Sequence, residues 1–510
     1  MSIVKKNFLK LIGAVALINL ISRLLGFIRE VIIGYHFGTS FLADSVITAY
    51  TIPNLLYIVA GGAITTAFIS IYNKSQNAEI QNEIREAIFT YTLILFSLIS
   101  VVFVLFPSWW TSLFFSGLDD NQLELTSELF QIMAPSTLFL VLSMFYSGIL
   151  NVNNKFQVTA VAPLVNNFLF IFVAVLLYPL IHAKAYGWGA LIGAIVMVVI
   201  LVMNMRRQGI SPFKLRFVVH NRDYMIRFLK ISIPILLGGA TLQFYFLIHR
   251  IFASSLEAGY IAALNYSSKL IQLPQTILMG AVTTVIYPLI ARLISEGKQK
   301  ELSKLYSGGI YYLLFLMIPS TVFIYFYADE IVKVIFEYGS FDHRSSAMTS
   351  SLLKVSVIGM FAHSANLYVT RFFYAMEKAL TPVVSGFLAV FGVNVLIIVL
   401  FLDEFGANTI AWATTISAYF QLAVLLIAGR KTLKLEFGSR TNLIKQAFLG
   451  LVLIVLASAF KKWIPVQASF ISLIVGFLFV CLCTLFLAYI FKIEEIQKLV
   501  SIKGKRKGGN

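Results

Sequence analysis

About fourteen apolar stretches, each long enough to cross a bilayer as a helix, recur along the 510 residues of this chain. No water is available in hydrocarbon, so every backbone N–H and C=O must be satisfied within its own segment, and runs of this length are helices rather than loops. They lie near 11–34, 42–71, 86–106, 126–150, 157–181, 186–204, 231–253, 261–291, 306–327, 347–375, 382–402, 407–429, 443–460 and 468–491. The expected fold is an all-α polytopic membrane protein. Composition agrees, with 59% hydrophobic residues, 12% charged residues and a mean hydropathy of +0.86, whereas a soluble domain is about half apolar and a quarter charged. Lys5, Lys6 and Lys10 precede an apolar run in the manner of a signal peptide. No small-residue cleavage site follows and the run continues through Arg23 and Arg29, which makes it a retained first span.

The net charge of +17 would point to nucleic acid in a soluble protein; here its placement points to orientation and no nucleic-acid partner is expected. Roughly 28 of the 40 Lys and Arg fall on the side of the termini and about 5 on the opposite side. The heaviest basic loop holds Arg206, Arg207, Lys214, Arg216, Arg222 and Arg227, followed by the loop from Arg430 to Lys445 and the tail from Lys503 to Lys507. The opposite loops carry Asp119 and Asp120, Asp329 and Glu330, and Asp403 and Glu404. The positive-inside rule then predicts cytoplasmic termini in a bacterial plasma membrane.

No loop is long enough to form a soluble domain, and no Gly-x-x-x-x-Gly-Lys-Ser/Thr nucleotide loop occurs. The chain is therefore expected to use no cofactor and to hydrolyse no ATP. Any work must come from an ion gradient, the membrane potential or consumption of the product. Cys481 and Cys483 are two residues apart in the last apolar run and so on different helix faces, which fits neither a disulfide nor a metal pair.

An internal repeat is visible. At one offset of 221 residues Arg29 matches Arg250, Gly38 matches Gly259, Asp44 aligns with Asn265 and Pro53 matches Pro274. Gly62-Ala63-Ile64-Thr65-Thr66 recurs as Gly280-Ala281-Val282-Thr283-Thr284 at offset 218, and a weaker pair links Asn154-Lys155 to Glu377-Lys378. An offset of six spans preserves orientation, so the repeat is parallel. It predicts a six-helix lobe over 1–205, a basic cytoplasmic linker over 206–230, a second six-helix lobe over 231–430, and two extra helices with a basic tail over 431–510.

Ionisable groups inside spans are expensive, and they mark functional positions by default. Asn19, Arg23 and Glu30 form one stripe of the first span, with Arg29 a third of a turn away. Asp44, Thr48 and Thr51 share a face of the second span, Gly239, Gln243 and Arg250 of the seventh, and Asn265, Lys269, Gln272 and Thr276 of the eighth. A shared water-filled cleft is their natural destination. It would hold Arg23, Arg29, Arg250 and Lys269 against Glu30 and Asp44, a positive balance suited to an anionic substrate, since guanidinium groups bind phosphate oxygens bidentately. Internal pairing, Arg23 with Glu30 or Arg29 with Asp44, is the competing reading. Lys230 and Lys354 fit snorkelling side chains. Arg371, with His363 and Asn366, suits either a second-lobe cavity or a lipid headgroup, and His249 suits packing.

The segments Ser22-Arg23-Leu24-Leu25-Gly26-Phe27-Ile28-Arg29-Glu30, Phe37-Gly38, Ala43-Asp44, Ile52-Pro53-Asn54-Leu55-Leu56, Gly62-Ala63 and Ala67-Phe68 resemble the N-terminal signature of the MurJ/MviN lipid II flippase family. That family belongs to the multidrug/oligosaccharidyl-lipid/polysaccharide exporter superfamily. Leu273-Pro274, Tyr338-Gly339-Ser340-Phe341 and Thr381-Pro382 extend the resemblance along the chain. It implies fourteen helices in two lobes, a cationic cavity lined by spans 1, 2, 7 and 8, and a groove at spans 13 and 14 for an undecaprenyl tail. The family's two first-helix arginines fall on Arg23 and Arg29, and its eighth-helix arginine on Lys269. This chain carries Tyr57 and Gly61 where some members carry arginine and glutamate. It also reads Glu377-Lys378-Ala379-Leu380-Thr381-Pro382 where a sodium-site aspartate often stands, so no metal site or sodium coupling is expected.

The function implied is translocation of an anionic polyprenyl-pyrophosphate-linked precursor, lipid II foremost, from inner to outer leaflet by alternating access. Membrane lipids and cell-wall synthesis enzymes are the candidate partners. A flippase for another lipid-linked glycan, such as an exopolysaccharide or teichoic acid unit, is the runner-up. A drug/cation antiporter would need carboxylates in the cavity. A membrane enzyme would have to rely on Asp342, His343 and Arg344 in one short outer loop, which fits a solvated surface better.

Overall fold

The structure, a computed structural model, describes residues 3–75, 77–217, 222–239, 241–281, 286–435, 438–464 and 468–497. Among the described residues every regular element is a helix, as the apolar runs require. Ten helices there are long and apolar enough to cross a membrane by themselves. The bent pair Asp120–Met133 and Ser136–Val152, broken by 41° at Pro135, adds an eleventh. The expected spans near 11–34, 231–253 and 261–291 are helical as well, in Ile3–Phe37, Arg222–Gly239 with Thr241–Ala253, and Tyr260–Ala281. They are not among those ten; they are the helices that carry Arg23, Arg29 and Glu30, Arg250, and Lys269 within their length.

By contacts the chain divides into two units, Met1–Ala262 and Ala263–Asn510. In the first, the second span runs from Phe41 to Tyr72 through a π-helical turn at Tyr57–Gly61. The core is aromatic and aliphatic: Phe68, Phe89, Phe145, Tyr146, Met197 and Leu201 are all buried and mutually packed. Helices Phe156–Ile181 and Lys184–Arg207 form a close antiparallel hairpin. Gly189 permits that approach, because a Cβ there would lie 2.5 Å from the Phe170 carbonyl oxygen.

In the second unit, Gln299–Phe326, Met360–Ala375 and Ala407–Thr432 pack through Tyr306, Leu313, Tyr368, Phe372, Leu422 and Leu425. Arg440–Trp463 and Ser469–Ile490 pack on Gln299–Phe326 through Leu449, Leu453, Val480 and Phe315. Only 22% and 28% of their most apolar windows are buried, so most of their apolar surface is left for lipid.

Backbone conformation supports the repeat independently of side-chain matches. Gly38 and Gly259, Asn154 and Glu377, His182 and Gly406, and Gly209 and Lys434 all have positive φ. These pairs are 221, 223, 224 and 225 residues apart. Left-handed backbone is rare outside glycine, and four such pairs at nearly one spacing mark equivalent turns. The second Gly-Ala-x-Thr-Thr copy at Val282–Thr284 and the Lys503–Lys507 tail lie outside the described residues.

The basic linker is not loose where it is described. Arg216 donates its backbone N–H to Thr90 (2.8 Å) and its Nε to Glu86 Oε2 (3.0 Å). Lys214 Nζ lies 3.2 Å from Glu86 Oε1. Tyr146 and Tyr91 donate to the carbonyls of Pro212 and Phe217. Glu86 is 3% exposed, and a carboxylate so buried is retained only with partners of this kind.

Candidate functional site

Three of the predicted site residues, Arg29, Glu30 and Arg250, come together in the first unit. Arg29 Nη2 donates to Glu30 Oε1 at 2.9 Å, both side chains being largely buried. The Arg29 guanidinium also sits over two rings, 5.4 Å from the Tyr50 centroid and 4.8 Å from that of Phe170, an arrangement that favours a cation in a dry site. Arg250 Nη1 donates to Thr51 Oγ1 at 2.7 Å, and Thr51 in turn donates to the Ile47 carbonyl. Arg250 is close enough to Glu30 and Arg29 for the three charges to interact. The Arg29–Glu30 bond is the pairing found here; Glu30 neighbours Arg29 in sequence, and the proposed partners Arg23 and Asp44 are engaged otherwise or exposed.

Asp44 sits apart from this cluster in function. It is 1% exposed, and its two oxygens accept the backbone N–H groups of Gly259 (2.6 Å) and Ala262 (2.7 Å). It thus caps the first turn of the helix beginning at Tyr260, where an anion is favourable to the exposed N–H groups. Gly259 is required at this contact: its φ is +103° and a Cβ would lie 2.2 Å from the Thr39 carbonyl oxygen. Arg23 is exposed on the first span and Gln243 half-buried on the seventh. Thr48, on the Asp44 face, has a buried hydroxyl with no hydrogen-bond partner among the described residues.

In the second unit, Asn265 is 8% exposed while Lys269 and Gln272 are half-buried, all on helix Tyr260–Ala281. The Gln272 Nε2 is buried without a hydrogen-bond partner among the described residues, an amide donor left available for a polar ligand. Asn366 donates to the Ala418 carbonyl (2.9 Å) and to Gln421 (3.3 Å), so it joins two helices of this unit. Lys354 pairs with Asp329 at 2.8 Å. Asp342 accepts the Ser345 N–H at 2.8 Å and caps helix His343–Ser356. That N–H holds the Asp342 carboxyl below its ordinary range, a structural use that suits no acid/base role. No group of three or more His, Cys, Asp or Glu side chains that could hold a metal occurs among the described residues.

Tyr50 and Phe170 escaped the sequence reading. Both are aromatic residues in apolar helices, and nothing in their spacing distinguishes a ring under a guanidinium from a ring in the core.

A multi-span helical fold with part-buried guanidinium groups inside its first unit defines a polytopic helical membrane protein that holds cationic groups among its helices. The comparisons narrow the class. The sequence model of the lipid II flippase MurJ family matches residues 33–487, so this chain belongs to that family. A probable lipid II flippase MurJ of Rhizobium tropici is 28% identical over 490 residues, spanning 92% of this chain and 89% of the relative. That of Thermotoga maritima is 27% identical over 98% and 99%. A lipid II flippase MurJ solved in an inward closed conformation superposes with a TM-score of 0.82 at 22% identity, covering 94% of this chain and 99% of the other. An inward-facing multidrug transporter of the MATE family superposes at 0.71 with 13% identity over 82% and 98%. At these identities the two structures establish the fold. The family is one of flippases, and the protein is a multi-pass membrane transporter rather than an enzyme.

Proposed function

We propose that this chain carries lipid II from the inner to the outer leaflet by alternating access, binding its pyrophosphate through Arg29 and Arg250. The observation that carries the reading is the pair of part-buried guanidinium groups, Arg29 and Arg250, close to the Glu30 carboxylate. In a low dielectric such a site attracts a phosphate strongly. Within the first unit Arg23 adds positive charge and Gln243 a neutral donor; in the second, Lys269, Asn265 and Gln272 give helix Tyr260–Ala281 a polar face suited to the same anionic ligand. Glu30 orients Arg29, and Asp44 fixes the backbone at 259–262. The orientation with both termini cytoplasmic, the two lobes over 1–205 and 231–430, and a groove for the polyprenyl tail on the helices after residue 431 belong to the same proposal. The exposed apolar faces of Arg440–Trp463 and Ser469–Ile490 support the last point.

The departures at Tyr57, Gly61 and Lys378 favour one second reading, a flippase for a different polyprenyl-linked glycan. Purified protein in liposomes with fluorescent lipid II decides between them. Protein-dependent access of an external quencher, lost in Arg250→Ala, supports the proposal. Access that is independent of the protein, while another polyprenyl-linked glycan is moved, supports the second reading.

A further inference from the structure

A groove in the first unit, away from Arg29 and Arg250, has the chemistry of a lipid site. It has a volume of about 440 Å³ and is open on one side, within the range of about 300–1,000 Å³ common to ligand pockets. Its origin lies in the hairpin of Phe156–Ile181 and Lys184–Arg207. Near the turn of that hairpin, Gly189 and Gly193 bring the backbones together; a Cβ at Gly193 would meet Asn166 at 2.8 Å. Toward the other end the glycines give way to Ile200 and Met203, which line the groove.

The walls of the groove are graded. Val158, Val161, Ile200 and Met203 line its apolar stretch, and Gln157, Asn204 and Arg207 line its polar end. Ile200, Met203, Asn204 and Arg207 follow at i, i+3, i+4 and i+7, so they share one helix face. Arg207 is exposed and makes no ion pair among the described residues. Its neighbour Arg206 is occupied differently, lying 5.7 Å over the Phe213 ring. Gln208 donates to Asn204 Oδ1, which leaves the Asn204 amide N–H groups to donate outward. Lys155, exposed just before Phe156–Ile181, adds a second cation near the polar end.

We propose that this groove binds an anionic glycerophospholipid of the cytoplasmic leaflet, its phosphodiester at Arg207, Asn204 and Gln157 and one acyl chain along Val158, Val161, Ile200 and Met203. The proposal rests on the orientation given above, which places this end of the hairpin at the cytoplasmic face, where anionic lipids are enriched. Charge complementarity selects the ligand. A guanidinium with two amide donors suits a phosphodiester of net negative charge, whereas the ammonium of a zwitterionic lipid would be brought against Arg207 and Lys155.

The test uses full-length protein in detergent with defined lipid added, read by native mass spectrometry. Phosphatidylglycerol is expected to remain bound at occupancy roughly tenfold above phosphatidylethanolamine, and Arg207→Gln is expected to abolish most of that preference. Arg207→Lys should retain an intermediate preference, which separates charge from fold. A photoreactive phosphatidylglycerol on the unsubstituted protein should label segments 157–161 and 200–207. Equal phosphatidylglycerol occupancy in the parent and Arg207→Gln, or labelling confined to other segments, overturns the proposal. So does displacement by equimolar undecaprenyl pyrophosphate, which would assign the groove to the transport substrate, or by millimolar inorganic phosphate, which would make it a site for the free anion. The proposal's failure is distinguishable from failure of the transport reading, because neither Arg29 nor Arg250 is altered.

Discussion

Arg29 stands at the centre of the account, and Glu30 offers a way to separate its structural role from its function. Arg29→Gln removes one charge-assisted bond of 2.9 Å and two ring contacts, and leaves Glu30, 4% exposed, as a buried carboxylate short of its direct partner. Breaking a buried pair from one side costs about 3–5 kcal/mol, whereas replacing both members by neutral groups of similar shape is often near neutral. The single variant is therefore expected to unfold at clearly lower temperature in detergent, and Arg29→Gln with Glu30→Gln to recover most of the loss. Transport should not recover, because a phosphate loses a charged donor in both variants, roughly a tenfold to hundredfold weakening at about 1.5–3 kcal/mol. The assays are thermal unfolding of purified protein and lipid II translocation in liposomes, run on the same preparations. A double variant that regains both stability and transport would refute the reasoning, since Arg29 would then serve only to neutralise Glu30.

Other consequences are as definite. Glu86→Ala frees Arg216 and Lys214 and should cost about 1–3 kcal/mol, with proteolytic cleavage after Lys214 or Arg216 accelerated while the rest of the chain stays intact; unchanged cleavage contradicts the pinned linker. Gly259→Ala should destabilise by more than about 1 kcal/mol, since φ is positive and the space is filled, and a parent-like unfolding temperature would show that the contact with Thr39 is absent. Asp342→Ala should cost about 1 kcal/mol through loss of the helix cap, and Asp342→Asn much less. The folded Asp342 carboxyl is depressed by the Ser345 N–H, so its contribution is present above the unfolded carboxylate range and fades as pH falls through the folded value. The stability difference between parent and Asp342→Asn should accordingly narrow on acidification, and a difference that widens there would contradict the cap.

Much of this fold was legible because a bilayer leaves a chain few choices. Apolar length alone located the helices, and the offset of Arg29 from Arg250 and of Gly38 from Gly259 foretold turns that do share a left-handed backbone. The polar stripes pointed to Arg29, Glu30 and Arg250, which lie near one another in the structure, but not to the contacts that Asp44 makes. Asp44 looked like a lining group on the Thr48 face, yet it serves backbone N–H groups 215 and 218 residues away. A donor of that kind leaves no side-chain signature. Tyr50 and Phe170 were hidden for a related reason, because rings beneath a cation and rings in a core have the same periodicity. The linker showed its charge but not its anchor, since Glu86 lies 130 residues from Arg216.

The most direct measurement of the central claim is lipid II exposure on the outer leaflet of cells in which this protein is the sole flippase and can be depleted. Exposure should collapse on depletion, return with the unsubstituted protein, and not return with Arg29→Gln/Glu30→Gln despite normal accumulation in the membrane. Exposure that persists in its absence, or that the double variant restores, would contradict lipid II transport through Arg29 and Arg250.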